Sequence, residues 1–327
     1  MINEDVIYYH KNKLDMIGNE PIVSVCIVTY NSSSFIIETL DSVAAQTYRN
    51  IELIVSDDCS TDDTVEICQQ WLNRHGHRFV NTAILKNDHN TGVSGNCNRA
   101  IKQGTGGWIK YLAGDDKLLP NCISDNIDYV QKHIETDLLF SDMKVFGQGQ
   151  RGDGIVSPSV YFNHLTPYQF KIWQLVYSLL PAPCCFMKRS TYTQLGGFDE
   201  SIPMMEDKPF WVKAIFAGLV IKYLPKLTVC YRVTPKSLSQ SKDNSNYRKF
   251  SESRKLASSY FLSLEKSISW WLWFYVKSIY DREFTPSLAS TIVYGLRFLN
   301  PYYYYLRYIS FKIRFFSLLH SSGFIEK

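Results

Sequence analysis

The sequence predicts an α/β fold, a mostly parallel sheet flanked by helices, followed by a helical, aromatic-rich C-terminal appendage. Three observations predict it. Short, continuous, β-branched apolar runs recur at a pitch that leaves room for one helix between each pair, the pattern of a parallel sheet with right-handed crossovers. Polar clusters fall at the ends of these runs, at Thr29-Tyr30-Asn31, Asp57-Asp58 and Asp115-Asp116, where open α/β sheets bind ligands. Past residue 240 aromatic and basic residues crowd the chain.

The elements follow in order. Residues 1–20 read as a loosely ordered leader. Ile22 to Val28 is short, β-branched and continuous, a fully buried strand. Phe35 to Ala45 reads as a helix with Ser34 as N-cap. Ile51 to Val55 is the second strand, and Ser60 with Asp63 three residues on signals the next helix, whose apolar stripe is Val65, Cys68, Trp71 and Leu72. Thr82 to Leu85 is a strand, Ser94 to Gln103 a helix closed by Gly104, and Trp108 to Leu112 a strand. Pro120 suits a first helical position, with Ile123, Ile127, Val130 and Ile134 on one face. Leu138 to Phe140 is the fifth strand. Beyond residue 150 the alternation breaks. Gly147 to Ser157 reads as loop, Pro167 to Leu180 as helix, Pro183 to Lys188 as a short strand, Gly196 to Glu200 as a turn, Pro209 to Ala217 as helix and Leu219 to Tyr231 as strand.

The 327 residues suffice for one large domain or a domain plus an appendage. Charge is unevenly placed. From residue 241 onward there are 13 Lys+Arg against 6 Asp+Glu, a net of +7, which leaves 22 basic and 25 acidic residues, a net of −3, for the rest. A weakly acidic body with a basic tail suggests an anionic partner for the tail. The eight cysteines include no Cys-x-x-Cys pair and are not clustered with His, which argues against zinc. Most lie in apolar segments, as small buried hydrophobes, and a reducing compartment is expected. The N-terminus carries no apolar signal core and no stretch has the uncharged apolar length that spans a bilayer, so a cytoplasmic location is expected.

The run Tyr111-Leu112-Ala113-Gly114-Asp115-Asp116 carries the chemistry. Two adjacent carboxylates at a strand end repel unless a cation or a donor network lies against them. Hard divalent cations that carry phosphates take one or two carboxylates and leave the other positions to water and phosphate oxygens. The run therefore reads as a place where a metal holds a phosphorylated substrate, against the plainer reading of a solvated Asp-Asp turn. The chain contains neither G-x-G-x-x-G nor a P-loop, which argues against a dinucleotide oxidoreductase and a P-loop ATPase.

Taken in order, the pieces resemble glycosyltransferase family 2 and its Rossmann-like GT-A fold. They are Val25 to Asn31; Leu40-Asp41-Ser42-Val43 with Gln46-Thr47-Tyr48; Glu52 to Asp62; Asn90 to Gly95 with Asn98; Leu112 to Asp116; Gly196 to Glu200; Glu206-Asp207; and Tyr231-Arg232. The resemblance covers residues 22–240 and implies an inverting, nucleotide-sugar-dependent enzyme. It implies that Thr29, Tyr30 and Asp58 hold the nucleobase, usually uracil, with Tyr30 stacking or making an edge contact and Asp58 accepting a base N–H, and that Asn31 and Asn98 belong to the nucleotide pocket. Asp57 is left with helix-capping ahead of Ser60. Asp115 is expected near the ribose or the metal, and Asp116 as ligand of a divalent cation, Mn²⁺ or Mg²⁺. Relatives often carry another Asp where this chain has Ala113, and a His where it has Thr234. Asp207 is the expected general base, with Glu206 as its alternate or its orienting neighbour. Arg232 is expected on the diphosphate, and Lys86 and Arg99 are weaker phosphate candidates. The Gln-x-x-Arg-Trp signature of processive members is absent, so one sugar is added at a time.

The implied organisation is a leader (1–20), a GT-A domain (21–240, with a nucleotide half at 21–145 and an acceptor-side half at 146–240) and a basic aromatic helical region (241–327). Runs such as Trp270 to Val276 and Phe311 to Phe316, interrupted by Lys and Arg, have the composition of interfacial helices. The expected partners are a nucleotide-sugar donor, a saccharide acceptor, lipid-linked in surface polysaccharide assembly, and the inner-membrane surface, with peripheral association at its cytoplasmic face. Nothing resembles a nucleic-acid module, and no nucleic-acid partner is expected. Two other readings stay open at this point: a sugar-phosphate nucleotidyltransferase, and an inactive binding or scaffold protein that keeps the fold.

Overall fold

A computed structural model describes residues 6–11, 20–147, 154–177, 180–202, 204–234, 252–253, 256–257, 274–275 and 299–321. The chain divides into two compact units, residues 1–157 with 180–242 and residues 158–179 with 243–327. Residues 158–179, expected in the acceptor-side half, thus cluster with the C-terminal region.

In the first unit the described strands form one mixed sheet. They are β1 (Val6–Lys11), β2 (Val23–Thr29), β3 (Ile51–Asp57), β4 (Asn81–Lys86), β5 (Trp108–Ala113), β6 (Lys117–Leu118), β7 (Leu138–Gly147), β8 (Gly154–Val156), β9 (Phe186–Lys188) and β10 (Ile221–Val233). Their order is β1-β4-β3-β2-β5-β9-β7-β10-β6, with β8 paired to β7. The block β4-β3-β2-β5 is parallel, as is β7 with β10. β9 lies antiparallel between β5 and β7 and joins the two parallel blocks. The helices are α1 (Ile36–Ala44), α2 (Thr64–His75), α3 (Gly92–Gln103), α4 (Cys122–Lys132), α7 (Arg189–Leu195) and α8 (Asp207–Phe216). The second unit holds α5 (Ser159–His164), α6 (Pro167–Val176) and, as α9, Pro301–Ser321.

The sheet core is where continuous apolar runs put it. Val23, Val25, Cys26, Ile27, Ile51 and Leu53 are fully buried, as expected of parallel strands covered on both faces. All eight cysteines are free thiols, six of them buried.

Several elements depart from expectation, each for a local reason. Within the leader, β1 pairs antiparallel with β4 at the sheet edge, where pairing needs no long apolar run. β7 continues well past Phe140 because its polar residues find partners across the sheet. Ser141 Oγ lies 2.5 Å from Thr228 Oγ1, and the Tyr223 hydroxyl donates to Asp142 at 2.8 Å. α2 starts at Thr64, not Ser60, because Ser60 is bonded back to Asp57 and the Asp62 carboxylate takes the Thr64 amide. In α1 the Ser32 carbonyl, not Ser34, receives the first amides, those of Phe35 and Ile36. α4 begins at Cys122 with Asn121 at its N-cap, so Pro120 lies just outside.

In the second unit, α6 starts with a capping box between Thr166 and Gln169. Asn300 opens α9, accepting the Tyr302 amide on its side chain at 2.9 Å. His164 stacks on Phe316 with ring centroids 3.8 Å apart, and the Tyr168 and Tyr302 hydroxyls meet at 2.9 Å. Tyr304, Tyr308, Phe311 and Phe315 are exposed at i, i+4, i+7 and i+11, one stripe of the helix, with Arg307 and Arg314 exposed between them. Among the described residues no helix is long and apolar enough to cross a membrane. Trp270 to Trp273, residues 1–5 and 12–19 and residues 148–153 lie outside the described residues.

Candidate active site

Register brings the three polar clusters to one edge. Thr29 pairs with Asp57, and Val28 pairs with Ala113, so β3, β2 and β5 end side by side. The Asp58 amide donates to the Thr29 carbonyl and the Gly114 amide to that of Val28, both at 2.9 Å. A Cβ on Gly114 would stand 2.8 Å from Thr29 Cγ2, so only glycine lets the Asp115-Asp116 loop lie against the end of β2.

At this edge Tyr30 is 52% exposed, a ring free to stack. Thr29 and Asp57 hold each other, the hydroxyl donating to Asp57 Oδ2 at 2.8 Å, and Asp57 also accepts from the Ser60 amide and hydroxyl. Asn31, at φ +51°, accepts from the Thr61 amide at 2.9 Å while its own amide donates to Ser60 Oγ at 2.8 Å. Asp58 is the most heavily bonded member. Its Oδ1 accepts from Asn87 Nδ2 (2.7 Å), the Thr91 amide (2.8 Å) and the Thr91 hydroxyl (2.8 Å), and its Oδ2 from the Gly92 amide (2.9 Å). Gly92 takes φ +79° to present that amide. The carboxylate thus fastens the 87–92 loop and the start of α3, and Oδ2 retains capacity for one more donor.

Asp116 is fully buried. Its Oδ1 accepts the Arg232 amide at 2.8 Å, while its Oδ2 is buried without a partner among the described residues. Burial, and then the Asp115 charge, raises the Asp116 carboxyl well above the usual range. Burial raises Asp115 too, against the opposing pull of Arg232. The Arg232 guanidinium lies 4.5 Å from the centroids of both Phe35 and Phe146. It donates from Nε to the Asp115 carbonyl and from Nη2 to Glu38, each at 2.9 Å.

Glu206 and Asp207 open α8 in a recess, part of each remaining accessible. The Lys208 amide donates to Asp207 Oδ1 at 2.6 Å. Burial and the neighbouring Asp207 move Glu206 from 4.5 up to about 8, and burial raises Asp207 as well. The Cys97 thiol of α3 is buried. Beyond its own burial, its pKa is raised by the charges of Glu206, Cys26, Asp58 and Asp207. Tyr111 of β5 is raised by burial and by Glu206, Cys185 and Asp207, and its hydroxyl has no partner among the described residues. Asn98, expected in the nucleotide pocket, gives its side chain to the 192–200 segment. It accepts from the Tyr192 hydroxyl and the Phe198 amide and donates to the Phe198 carbonyl and Glu200.

The donor set suits a hard divalent cation: two adjacent carboxyls, one oxygen without a partner, and a burial that disfavours both charges until a cation answers them. Among the described residues no group of three or more His, Cys, Asp or Glu could hold a metal alone, so phosphate oxygens would complete the shell.

Asn87 beside Asp58, and Phe35, Glu38 and Phe146 around Arg232, carry no sequence signal of this role. They are recruited by contacts distant in the chain.

Residues 24–196, just over half of the chain, match the family model described as Glycosyl transferase family 2. EpsE of Bacillus subtilis is 32% identical over 141 residues, covering 43% of this chain and 49% of EpsE. The Escherichia coli UDP-Glc:alpha-D-GlcNAc-diphosphoundecaprenol beta-1,3-glucosyltransferase WfaP is 35% identical over 119 residues, covering 36% of this chain and 43% of WfaP. The chain spans about half the length of the curated relatives it matches. The crystal structure of Staphylococcus aureus TarS 1-349 in complex with UDP-GlcNAc superposes with a TM-score of 0.59 at 19% identity, covering 92% of each chain. The same protein in complex with UDP gives 0.55 at 22% identity, over 81% of this chain and 72% of that one. That likeness shows the GT-A fold.

Proposed function

The chain belongs to glycosyltransferase family 2, and we propose that it transfers one sugar, with inversion, from a UDP-sugar to a saccharide acceptor. The observation that carries this reading is the flush ending of β3, β2 and β5, which gathers Tyr30, Asp58 and Asp115-Asp116 at one edge. The hydrogen bonds by which Ser94 and Asn98 of α3 hold the 198–202 segment that leads to Glu206 support placing the base beside that edge. The UDP and UDP-GlcNAc complexes of the TarS structures support a uridine nucleotide.

In this reading Tyr30 stacks on the base, and Asp58 holds the 87–92 loop while Oδ2 accepts the base N–H. Asp207 takes the proton of the acceptor hydroxyl as its oxygen bonds to the anomeric carbon, and the bond to the diphosphate breaks with its electron pair leaving on the nucleotide. Glu206, neutral at pH 7, keeps a second negative charge out of the recess and orients Asp207. Family members generally use a divalent cation. Asp116 and Asp115 would hold it, and it would supply electrostatic stabilisation of the departing diphosphate. Arg232 keeps Asp116 in place and steadies the Asp115 carbonyl, so its contribution at the diphosphate is chiefly through the loop.

We propose further that the acceptor is lipid-linked and that transfer occurs at the cytoplasmic membrane face in surface polysaccharide assembly. The lipid-linked acceptor in the name of WfaP supports the first point, and the exposed aromatic stripe of α9 with its two arginines supports the second. The test is calorimetry with a panel of nucleotide sugars, with and without Mn²⁺, on the wild type and on Asp116→Asn. A uridine nucleotide that binds more tightly with Mn²⁺ in the wild type alone is the expected result. Equal affinity in the two proteins would remove Asp116 from the cation site.

A further inference from the structure

A second concave site runs along α3, apart from the strand ends. It has a volume of about 320 Å³ and is walled by Leu85, Thr91, Arg99, Lys102, Gln103 and Glu200. Thr91, Gly95, Arg99 and Lys102, spaced by four, four and three residues, form one helical stripe, while the face that meets the sheet carries Ser94, Cys97 and Ile101, all buried.

Arg99 makes this cleft informative. Its residue is half-buried, and its Nη1 is shielded from solvent with no hydrogen-bond partner. Glu200 does not answer it. That carboxylate accepts from Asn98 Nδ2 at 2.7 Å and faces Lys102 Nζ at 4.0 Å. The walls therefore hold two cations and one anion, with the guanidinium as the excess charge. The Arg99 Nη1 without a partner among the described residues asks for an oxyanion, and in a cleft that already holds the Glu200 carboxylate the single charge of a carboxylate suits better than the double charge of a phosphate. The remaining lining is suited to hydroxyls: Glu200 accepts, Gln103 both donates and accepts, Lys102 donates, and Leu85 gives an apolar floor. The volume lies at the lower end of small-molecule sites.

We propose that this cleft binds a polyhydroxylated monocarboxylate, a sugar acid, with its carboxylate on Arg99 and its hydroxyls on Glu200, Gln103 and Lys102. The site communicates with the nucleotide edge through Thr91, which lines the cleft and donates both its amide and its hydroxyl to Asp58. A sugar acid here braces the 87–92 loop from behind, and the two ligands bind together without competing.

The experiment is calorimetry on the full chain with glucuronate, methyl glucuronide and glucose, in the wild type, Arg99→Gln and Arg99→Lys. Arg99 makes no bond to the described residues, and both replacements are good helix formers, so unchanged thermal unfolding is the folding control. The expected result is glucuronate binding that weakens at least about tenfold in Arg99→Gln and recovers in part in Arg99→Lys, is absent with glucose, and persists with saturating UDP. Binding of methyl glucuronide as tightly as the free acid assigns the site to a sugar acid carried in a glycan, and binding of the free acid alone assigns it to a metabolite. No glucuronate binding by the wild type, equal binding in Arg99→Gln, or complete displacement by UDP would overturn the proposal.

Discussion

Replacing Glu206 by Gln separates the two carboxyls of the recess. Burial and the Asp207 charge move Glu206 from 4.5 to about 8. An acid whose pKa is raised by folding holds its proton more tightly in the folded chain. The stability it contributes is complete below pH 4.5 and is lost as pH rises through about 8. At about 1.4 kcal/mol per pH unit the displacement has a ceiling of about 5 kcal/mol. Asp207 shares it, and part of each carboxyl meets solvent, so about 2 kcal/mol is the expected effect. Gln has no proton to lose. Urea unfolding is therefore expected to find Glu206→Gln equal to the wild type near pH 5 and more stable by about 2 kcal/mol near pH 9. Sugar transfer at pH 7 is expected to fall less than about tenfold in this variant, against about 10²–10⁴-fold in Asp207→Asn. Parallel stability profiles for the wild type and Glu206→Gln, or equal losses of transfer in the two variants, would refute the assignment of a neutral Glu206 beside an ionised base.

Asp58→Ala leaves four donors of the 87–92 loop without their acceptor. It is expected to lower unfolding free energy by about 3 kcal/mol, read from the urea midpoint, and an unshifted midpoint would mean the loop holds itself. Tyr30→Ala removes a half-exposed ring, so stability should change by less than about 0.5 kcal/mol. UDP affinity should drop about tenfold by calorimetry as one stacking surface is lost. The combined change Tyr308→Ser, Phe311→Ser and Phe315→Ser on α9 is expected to reduce co-sedimentation with anionic vesicles. The wild-type signal should fall with added salt, because screening weakens the arginine contribution; salt-independent sedimentation equal in both proteins would count against a lipid surface.

The strand ends were legible because a buried parallel strand has to be apolar and continuous, so its termination in Asp57-Asp58 or Asp115-Asp116 is visible without coordinates. Once β2 is flanked by β3 and β5, register alone makes the three ends meet. The antiparallel insertion of β9 was not legible, because three residues, Phe186–Lys188, carry too little pattern to fix a direction. The length of β7 was hidden by Ser141 and Asp142, polar residues whose partners lie on β10 and are unknowable locally. Asn98 shows the same limit from the other side. Its place beside the Asn90-Thr91-Gly92 motif suggests the nucleotide, yet its hydrogen bonds go to residues about a hundred positions away. The clamp on Arg232 was unreadable for the same reason, since it joins the start of α1 (Phe35 and Glu38), the Asp115 loop and Phe146 of β7, three places far apart in the chain.

That clamp bears on how the gene can be divided. The recognisable signature stops at residue 196, yet the amide that meets Asp116 comes from residue 232. A polypeptide shortened to the signature would keep Asp57-Asp58 and Asp115-Asp116 but lose both Glu206-Asp207 and the backstop of its acidic loop. The inheritable unit of this chemistry is therefore longer than the stretch by which it is detected. Transplanting the function into another chain requires the last strand to travel with it.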